Sequence, residues 1–325
     1  MFFDYKNCKA DFTGRWAEYE DSMCATTPGA YFRISFKGES AVLIFNTRWN
    51  SRPYGHVWIQ LDGGNKIEAS AEEYIRIEAE DSGVHNVTVI YKGNVEMHHR
   101  WHTPLVGKLA FKGFEADECL SPEPDSRKTI EFVGDSITEG VLIDDFRNPD
   151  KSNDQYNRPF QDDVTATYAY LTAKALNLKP LFMGYGAVGV THGGCGGTPK
   201  AADGYPYCFE GREVSYSAPD YILINHGAND RSAGKEKYLA EYENLLNVIR
   251  AKNPSSKLIS LSAFCGAYHE ELGEFIKEYS EKNGCDILFV DSNGWIPLEP
   301  LHPRRDGHKK IADNLTAILK SKLGL

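Results

Sequence analysis

The chain contains no stretch of about 20 apolar residues, so nothing in it reads as a membrane-spanning helix. Its opening, MFFDYKNCKADFTGRW, meets charge after a few apolar positions, too soon for a signal-peptide core, and a cytoplasmic location is expected. Positive charge is not in surplus: the formal net charge is −10, which gives no general attraction to phosphate backbones or anionic lipid. Neither nucleic acid nor a membrane is expected as a partner. The seven cysteines, at 8, 24, 119, 195, 208, 265 and 285, are odd in number and scattered, with no CxxC pair and no Cys/His ligand spacing. Reduced thiols and no metal are expected, although Cys195 and Cys208 flank one loop and could meet. A GxxxxGK[ST] phosphate loop, a GxGxxG turn leading from a strand into a helix and a GxSxG elbow are missing as well. Their absence counts against nucleotide binding and against the α/β-hydrolase fold, and no cofactor is expected.

What is present is an ordinary globular composition, 41% hydrophobic with 25% charged residues, which excludes a disordered chain. A length of 325 residues exceeds what one core usually organises, so two domains are expected. From about residue 30 to 115 the segments AYFRISF, SAVLIFN, HVWIQLD, YIRIEAE, HNVTVIYK and LAFKGFE are short and β-like, several alternating apolar with polar. They predict an all-β sandwich, jelly-roll-like, over residues 1–122. ECLSPEPDSRK, residues 118 to 128, has two prolines, charge and no periodicity, as a linker would.

Residues 123–325 then change character. The compact apolar strands TIEFV, PLFMG, DYILIN, KLISLS and DILFV alternate with helical spacing, as in TYAYLTAKALN. Tyr238, Leu239, Tyr242, Leu245, Leu246 and Ile249 share one helical stripe. This order predicts a three-layer α/β/α domain on a five-stranded parallel sheet. Ligands bind at the carboxyl ends of such strands, so the residues after each apolar run are the place to look for chemistry.

The first strand leads into Gly134-Asp135-Ser136-Ile137-Thr138, a serine hydroxyl at a tight turn beside a helix start, where backbone N–H groups lack partners and can meet an oxyanion. A Gly-Asp-Ser turn that only caps a helix is the competing reading. After the second strand, GYGAVGVTHGGCGG is a glycine-dense loop that can supply amides or simply turn the chain. The third strand ends in His226-Gly227-Ala228-Asn229-Asp230, either an amide donor or a helix cap. Beyond the last strand lies Leu301-His302-Pro303, with Glu299 three residues before the histidine. His302 is the expected base for Ser136, and Glu299 is close enough in sequence to orient it. His308, in the first turn of a final helix beginning near Asp306, is a rival base with a packing role as its alternative.

These four blocks, in this order, resemble those of the SGNH hydrolases, the GDSL-type esterases and lipases, over roughly residues 128 to 325. The resemblance implies Ser136 as nucleophile, an oxyanion hole from the Ser136 amide, Gly189 and Asn229, and His302 as base. The family usually has aspartate three residues before the histidine; here it is Glu299, so glutamate, a backbone carbonyl or, more weakly, Asp291 would orient His302. A β-sandwich ahead of such a domain resembles carbohydrate esterase family 2, whose members deacetylate plant polysaccharides. That resemblance implies a carbohydrate O-deacetylase acting on acetylated xylo- or manno-oligosaccharides through an acetyl-Ser136 intermediate. A lipase, thioesterase or general short-chain esterase is the alternative, and an inactive carbohydrate-binding protein is the alternative outside enzymes.

Tyr185, Trp295 and the loop YPYCF, with Tyr207, are candidates to line a sugar site because rings stack on pyranose faces. In Met97-His98-His99-Arg100-Trp101-His102, adjacent histidines on a strand would point to opposite faces, which disfavours chelation. Arg48, Trp49, Arg52 and Tyr54, in NTRWNSRPYG, are expected at an interdomain surface rather than in a ligand site.

Overall fold

The computed structural model describes residues 1–144 and 158–325. Up to residue 120 the chain forms two antiparallel sheets. One has the order Ala17–Tyr19, Ser22–Ala25, Leu109–Glu115, Ser40–Phe45, Tyr74–Glu78, with Phe2–Asp4 also paired to Leu109–Glu115. The other has the order Glu118–Leu120, Tyr31–Lys37, Val84–Gly93, His56–Leu61, Lys66–Ser70, with Asp11–Thr13 joined to Tyr31–Lys37. Alternation explains the packing: along Val84–Gly93, Val87, Val89 and Tyr91 turn inward while Asn86 stays exposed. The sheets meet through rings, with Phe32 of one against Phe111 of the other at 4.2 Å between centroids.

All six strands expected from alternation are present. Phe2–Asp4, Asp11–Thr13, Ala17–Tyr19, Ser22–Ala25 and Lys66–Ser70 were not legible, because segments this short show no reliable period. The expected linker begins later than its composition suggests, since Glu118–Leu120 pairs with Tyr31–Lys37 as an edge strand and places the first proline just after it. The loop 46–55 does not face the second half of the chain as expected: Trp49 is 49% exposed, and its indole bonds to Glu20 in the sandwich. Residues 97–102 are loop rather than strand, and among the described residues no group of three His, Cys, Asp or Glu is placed to hold a metal.

The second half contains five parallel strands in the order Lys179–Gly184, Thr129–Gly134, Tyr221–Asn225, Lys257–Leu261, Ile287–Val290. Gly134 is in register with both Gly184 and Asn225, so the segments that follow these three strands emerge at one edge. Helices Tyr168–Ala175 and Arg305–Leu323 cover one face, packed on Phe132, Leu223 and Ile259. Lys235–Lys252 and His269–Asn283 cover the other, over Val133, Ile222 and Leu258. Among the described residues no helix is long and apolar enough to cross a membrane.

Buried charge ties the halves together. Arg15 pairs with Glu131 at 2.8 Å, both essentially inaccessible, and Arg15 also donates to the carbonyls of Tyr205 and Tyr207. Arg100 pairs with Glu139, again fully buried. Breaking a buried pair by removing one partner leaves the other charge without compensation and typically costs about 3–5 kcal/mol. Arg15→Met is therefore expected to lower unfolding free energy by about that much in denaturant titrations, and adding Glu131→Leu to recover a large part of it.

Candidate active site

Strand Thr129–Gly134 runs directly through Asp135 into the four-residue helix Ser136–Glu139. Glycine at 134 and 184 lets this turn sit on the sheet edge: a Cβ on Gly134 would lie 2.1 Å from Thr138 Oγ1, and one on Gly184 2.8 Å from the Glu139 nitrogen. Asp135 is the N-cap, its Oδ1 accepting from the Ile137 amide at 2.9 Å. Ser136 takes the first helical position, where a backbone N–H has no partner within the helix. The residue is 6% exposed.

His302 lies between strand Ile287–Val290 and helix Arg305–Leu323, and its Nε2 stands 2.8 Å from Ser136 Oγ. With the ring proton on Nδ1, Nε2 accepts the serine proton at this distance without rearrangement. Asn229 follows the neighbouring strand, its Nδ2 donating to Asp135 Oδ2 at 3.2 Å and to the Val188 carbonyl at 3.1 Å. The Gly189 amide donates to the His192 carbonyl at 3.1 Å, so service to an oxyanion requires that bond to be shared or released. The glycine itself is needed, because a Cβ there would stand 2.4 Å from Asp230 Oδ1. Asp230 accepts from the Val190 amide and from the amide and hydroxyl of Thr191, which clasps the glycine loop against the segment carrying Asn229.

Two acids next to the expected residues thus arrange the site, neither of them among the residues that the sequence pattern singles out. Their only sequence signal was position, an acid directly before Ser136 and another directly after Asn229. Burial pushes the Asp135 carboxyl up to about 7; the Ile137 amide opposes this, and nearby Asp230 adds to it.

The other expectations divide. Glu299 is exposed, and among the described residues no hydrogen bond or ion pair joins its carboxylate to His302. Asp291 is engaged elsewhere, with Ser262, the Asn293 amide and His269. His308 is buried and accepts the Tyr168 amide at Nδ1, at 3.0 Å, with its ring stacked on Tyr168; burial pushes it down to about 3, which is a packing role. Tyr185 offers no surface to a sugar, being 1% exposed with its hydroxyl bonded to Thr26 and Thr27. Tyr207 and Tyr185 both set their rings edge-on to Trp101 at the joint between the halves, while half-buried Trp295 packs on the core at the far side of the sheet. The three aromatics are not brought together. Gly184-Tyr185-Gly186-Ala187-Val188-Gly189 does spell GxGxxG, but it opens into a loop and so has no helix N-terminus to receive a pyrophosphate.

Residues 132–310, which hold Ser136, Gly189, Asn229 and His302, match the GDSL-like lipase/acylhydrolase family. The chain belongs to that family. The cellulase/esterase CelE of Acetivibrio thermocellus is 29% identical over 246 residues, 67% of this chain, and the match spans only 29% of that protein's length. The two-part fold is shared along almost the whole chain with solved structures. A family two carbohydrate esterase from Clostridium thermocellum in complex with cellohexaose has a TM-score of 0.77 at 22% identity, covering 97% of this chain and 99% of the other. An acetyl xylan esterase from the rumen bacterium Butyrivibrio proteoclasticus has 0.79 at 20% identity, covering 100% and 99%.

Two substitutions separate neighbours of the site. Glu299→Gln is expected to leave kcat/KM on a nitrophenyl acetate close to wild type, whereas Asp135→Asn faces one amide with another, displaces Asn229 and lowers kcat by roughly 10²–10³-fold. Stability gives a second readout. A folded pKa raised above the unfolded value of about 4 makes the folded state hold the proton more tightly, so this group's contribution is full below pH ~4 and declines as pH rises towards 7. Asp135→Asn is expected to flatten that decline in melting temperatures measured from pH 5 to 8, with the decline from Asp162, also pushed up to about 7 by burial, remaining.

Proposed function

We propose that the chain removes O-acetyl groups from carbohydrate, with acetylated xylo- or manno-oligosaccharides as substrates and an acetyl-Ser136 intermediate. The observation that carries the chemistry is the 2.8 Å contact between Ser136 Oγ and His302 Nε2 at the carboxyl edge of the parallel sheet. His302 takes the hydroxyl proton as Oγ bonds to the acetyl carbonyl carbon, and the oxyanion is met by donors from Ser136, Asn229 and Gly189. The bond to the sugar oxygen breaks, that oxygen takes the proton from His302, and the sugar leaves. Water then repeats the attack, with His302 again as base, and acetate is released.

The carbohydrate part of the reading is supported by the fold shared with carbohydrate esterases and by the partial likeness to CelE. Residues 1–122 are then an accessory β-sandwich domain and 123–325 the hydrolase domain, joined through the two buried Arg–Glu pairs.

Ser136→Ala is expected to reduce acetate release from acetylated xylo- and manno-oligosaccharides by at least about 10³-fold. On nitrophenyl esters of rising length, wild-type kcat/KM is expected to fall sharply beyond two or three acyl carbons. A flat or rising series would replace this reading with that of a lipase or thioesterase.

A further inference from the structure

His192 lies on the glycine loop after strand Lys179–Gly184 and touches both Gly189 and Asn229. Its backbone carbonyl accepts the Gly189 amide at 3.1 Å, and its ring Nε2 stands 3.1 Å from the carbonyl oxygen of Asn229. Ring Nδ1 stands 2.8 Å from the carbonyl oxygen of Gly193. Both ring partners are carbonyls, which only accept, whereas a neutral imidazole carries a single N–H. One of the two contacts would then set a nitrogen lone pair against a carbonyl oxygen. The imidazolium, with an N–H on each nitrogen, satisfies both. His192 is exposed, so its ring exchanges protons freely with solvent.

The two segments that His192 joins have little freedom elsewhere. Thr191, its neighbour, donates its amide and hydroxyl to Asp230 Oδ1 at 2.9 and 2.6 Å. The Tyr268 hydroxyl lies 3.1 Å from the carbonyl oxygens of both Asp230 and Arg231, so side chains hold three successive carbonyls from Asn229 onward. On the loop, a Cβ at Gly193 would stand 2.4 Å from the Thr198 carbonyl oxygen, and one at Gly194 2.2 Å from that of Gly186. The charged groups that bear on the ring are Asp230, from the Asn229 segment, and Lys237, from helix Lys235–Lys252. The Gly193 carbonyl does most to raise the imidazole's pKa above its ordinary value; the Asn229 carbonyl and Asp230 add to this, and partial burial and Lys237 oppose it.

We infer that His192 is a positioning residue for the oxyanion hole, its imidazolium fastening the Asn229 carbonyl to the loop that carries Gly189. Loss of the ring proton releases Asn229, because the shorter contact, to Gly193, keeps the one N–H that remains. Hydrolysis then needs two histidines in opposite states, His302 neutral to accept the serine proton and His192 charged. The inference rests on the proposed reading of Ser136 as nucleophile with donors from Gly189 and Asn229.

The test is kcat and KM for nitrophenyl acetate from pH 5 to 9, with the buffer rate subtracted. Wild-type kcat is expected to rise as His302 loses its proton, then to fall about three- to tenfold on the alkaline side. His192→Leu makes neither ring contact and is expected to lower kcat near neutral pH about tenfold, with KM within about twofold and no alkaline fall. His192→Gln sets an uncharged amide N–H close to where Nε2 stands; it is expected to regain most of the kcat lost in His192→Leu, again without the fall. In NMR of the histidine ring nitrogens, the signal missing from His192→Gln is expected to titrate at higher pH than a free histidine side chain. Any of four results would overturn the role: no alkaline fall in wild type, a fall that persists in His192→Gln, His192→Gln no more active than His192→Leu, or titration at or below the free value. Ser136→Ala is assayed alongside. Hydrolysis that survives it defeats the Ser136 reading, whereas hydrolysis lost in Ser136→Ala and unaltered in both His192 variants defeats the positioning role alone.

Discussion

Glu139 is buried three residues after Ser136, and the guanidinium of Arg100, from a loop of the preceding β half, is what makes that burial tolerable. An isolated carboxylate taken so far from water would carry a penalty of several kcal/mol. The turn that presents Ser136 therefore cannot pack as it does without the sandwich beside it. The Arg15–Glu131 pair repeats the arrangement under the same strand, where Tyr205 also donates to Glu131 at 2.7 Å. Charges on and beside the parallel sheet that would be intolerable alone are neutralised from the other half of the chain, which makes the two parts one energetic unit.

On that base the site is assembled from three strand ends held in register. Asp135 links the Ser136 turn to Asn229, and Asp230 links the Asn229 segment to the glycine loop, so the groups that would meet an oxyanion are positioned by carboxylates rather than by packing alone. Asn229 already aims its amide between Asp135 and Val188, and the Gly189 amide is bonded to His192. Engaging a tetrahedral intermediate would thus exchange existing hydrogen bonds for stronger ones to a developing negative charge, the condition under which binding favours the transition state over the ground state.

Much of this was legible in the sequence, for identifiable reasons. The five buried strands announce themselves as apolar runs, and the residues after them fall at one edge because parallel strands in register must end together. The stripe from Tyr238 to Ile249 gave its helix directly, and the helix beginning at Arg305 was placed within a residue. The illegible parts depend on partners distant in the chain. Nothing local marks Arg100 as the counter-charge of Glu139, 39 residues on, and Tyr185 looked like a ligand-facing ring until the sandwich closed over it. Glu299 shows the converse: sequence proximity to His302 suggested an orienting carboxylate, while the backbone leaves its side chain at the surface.

The central claim is that Ser136 is the group that attacks the ester. Labelling the full chain with a serine-directed fluorophosphonate and locating the adduct by tandem mass spectrometry of its peptides tests it most directly. The account predicts one phosphonylated residue, Ser136, with labelling slowed by an acetylated oligosaccharide and absent from His302→Ala, since the serine would lack its base. Labelling at another serine, or none under conditions where esters are still hydrolysed, would contradict it.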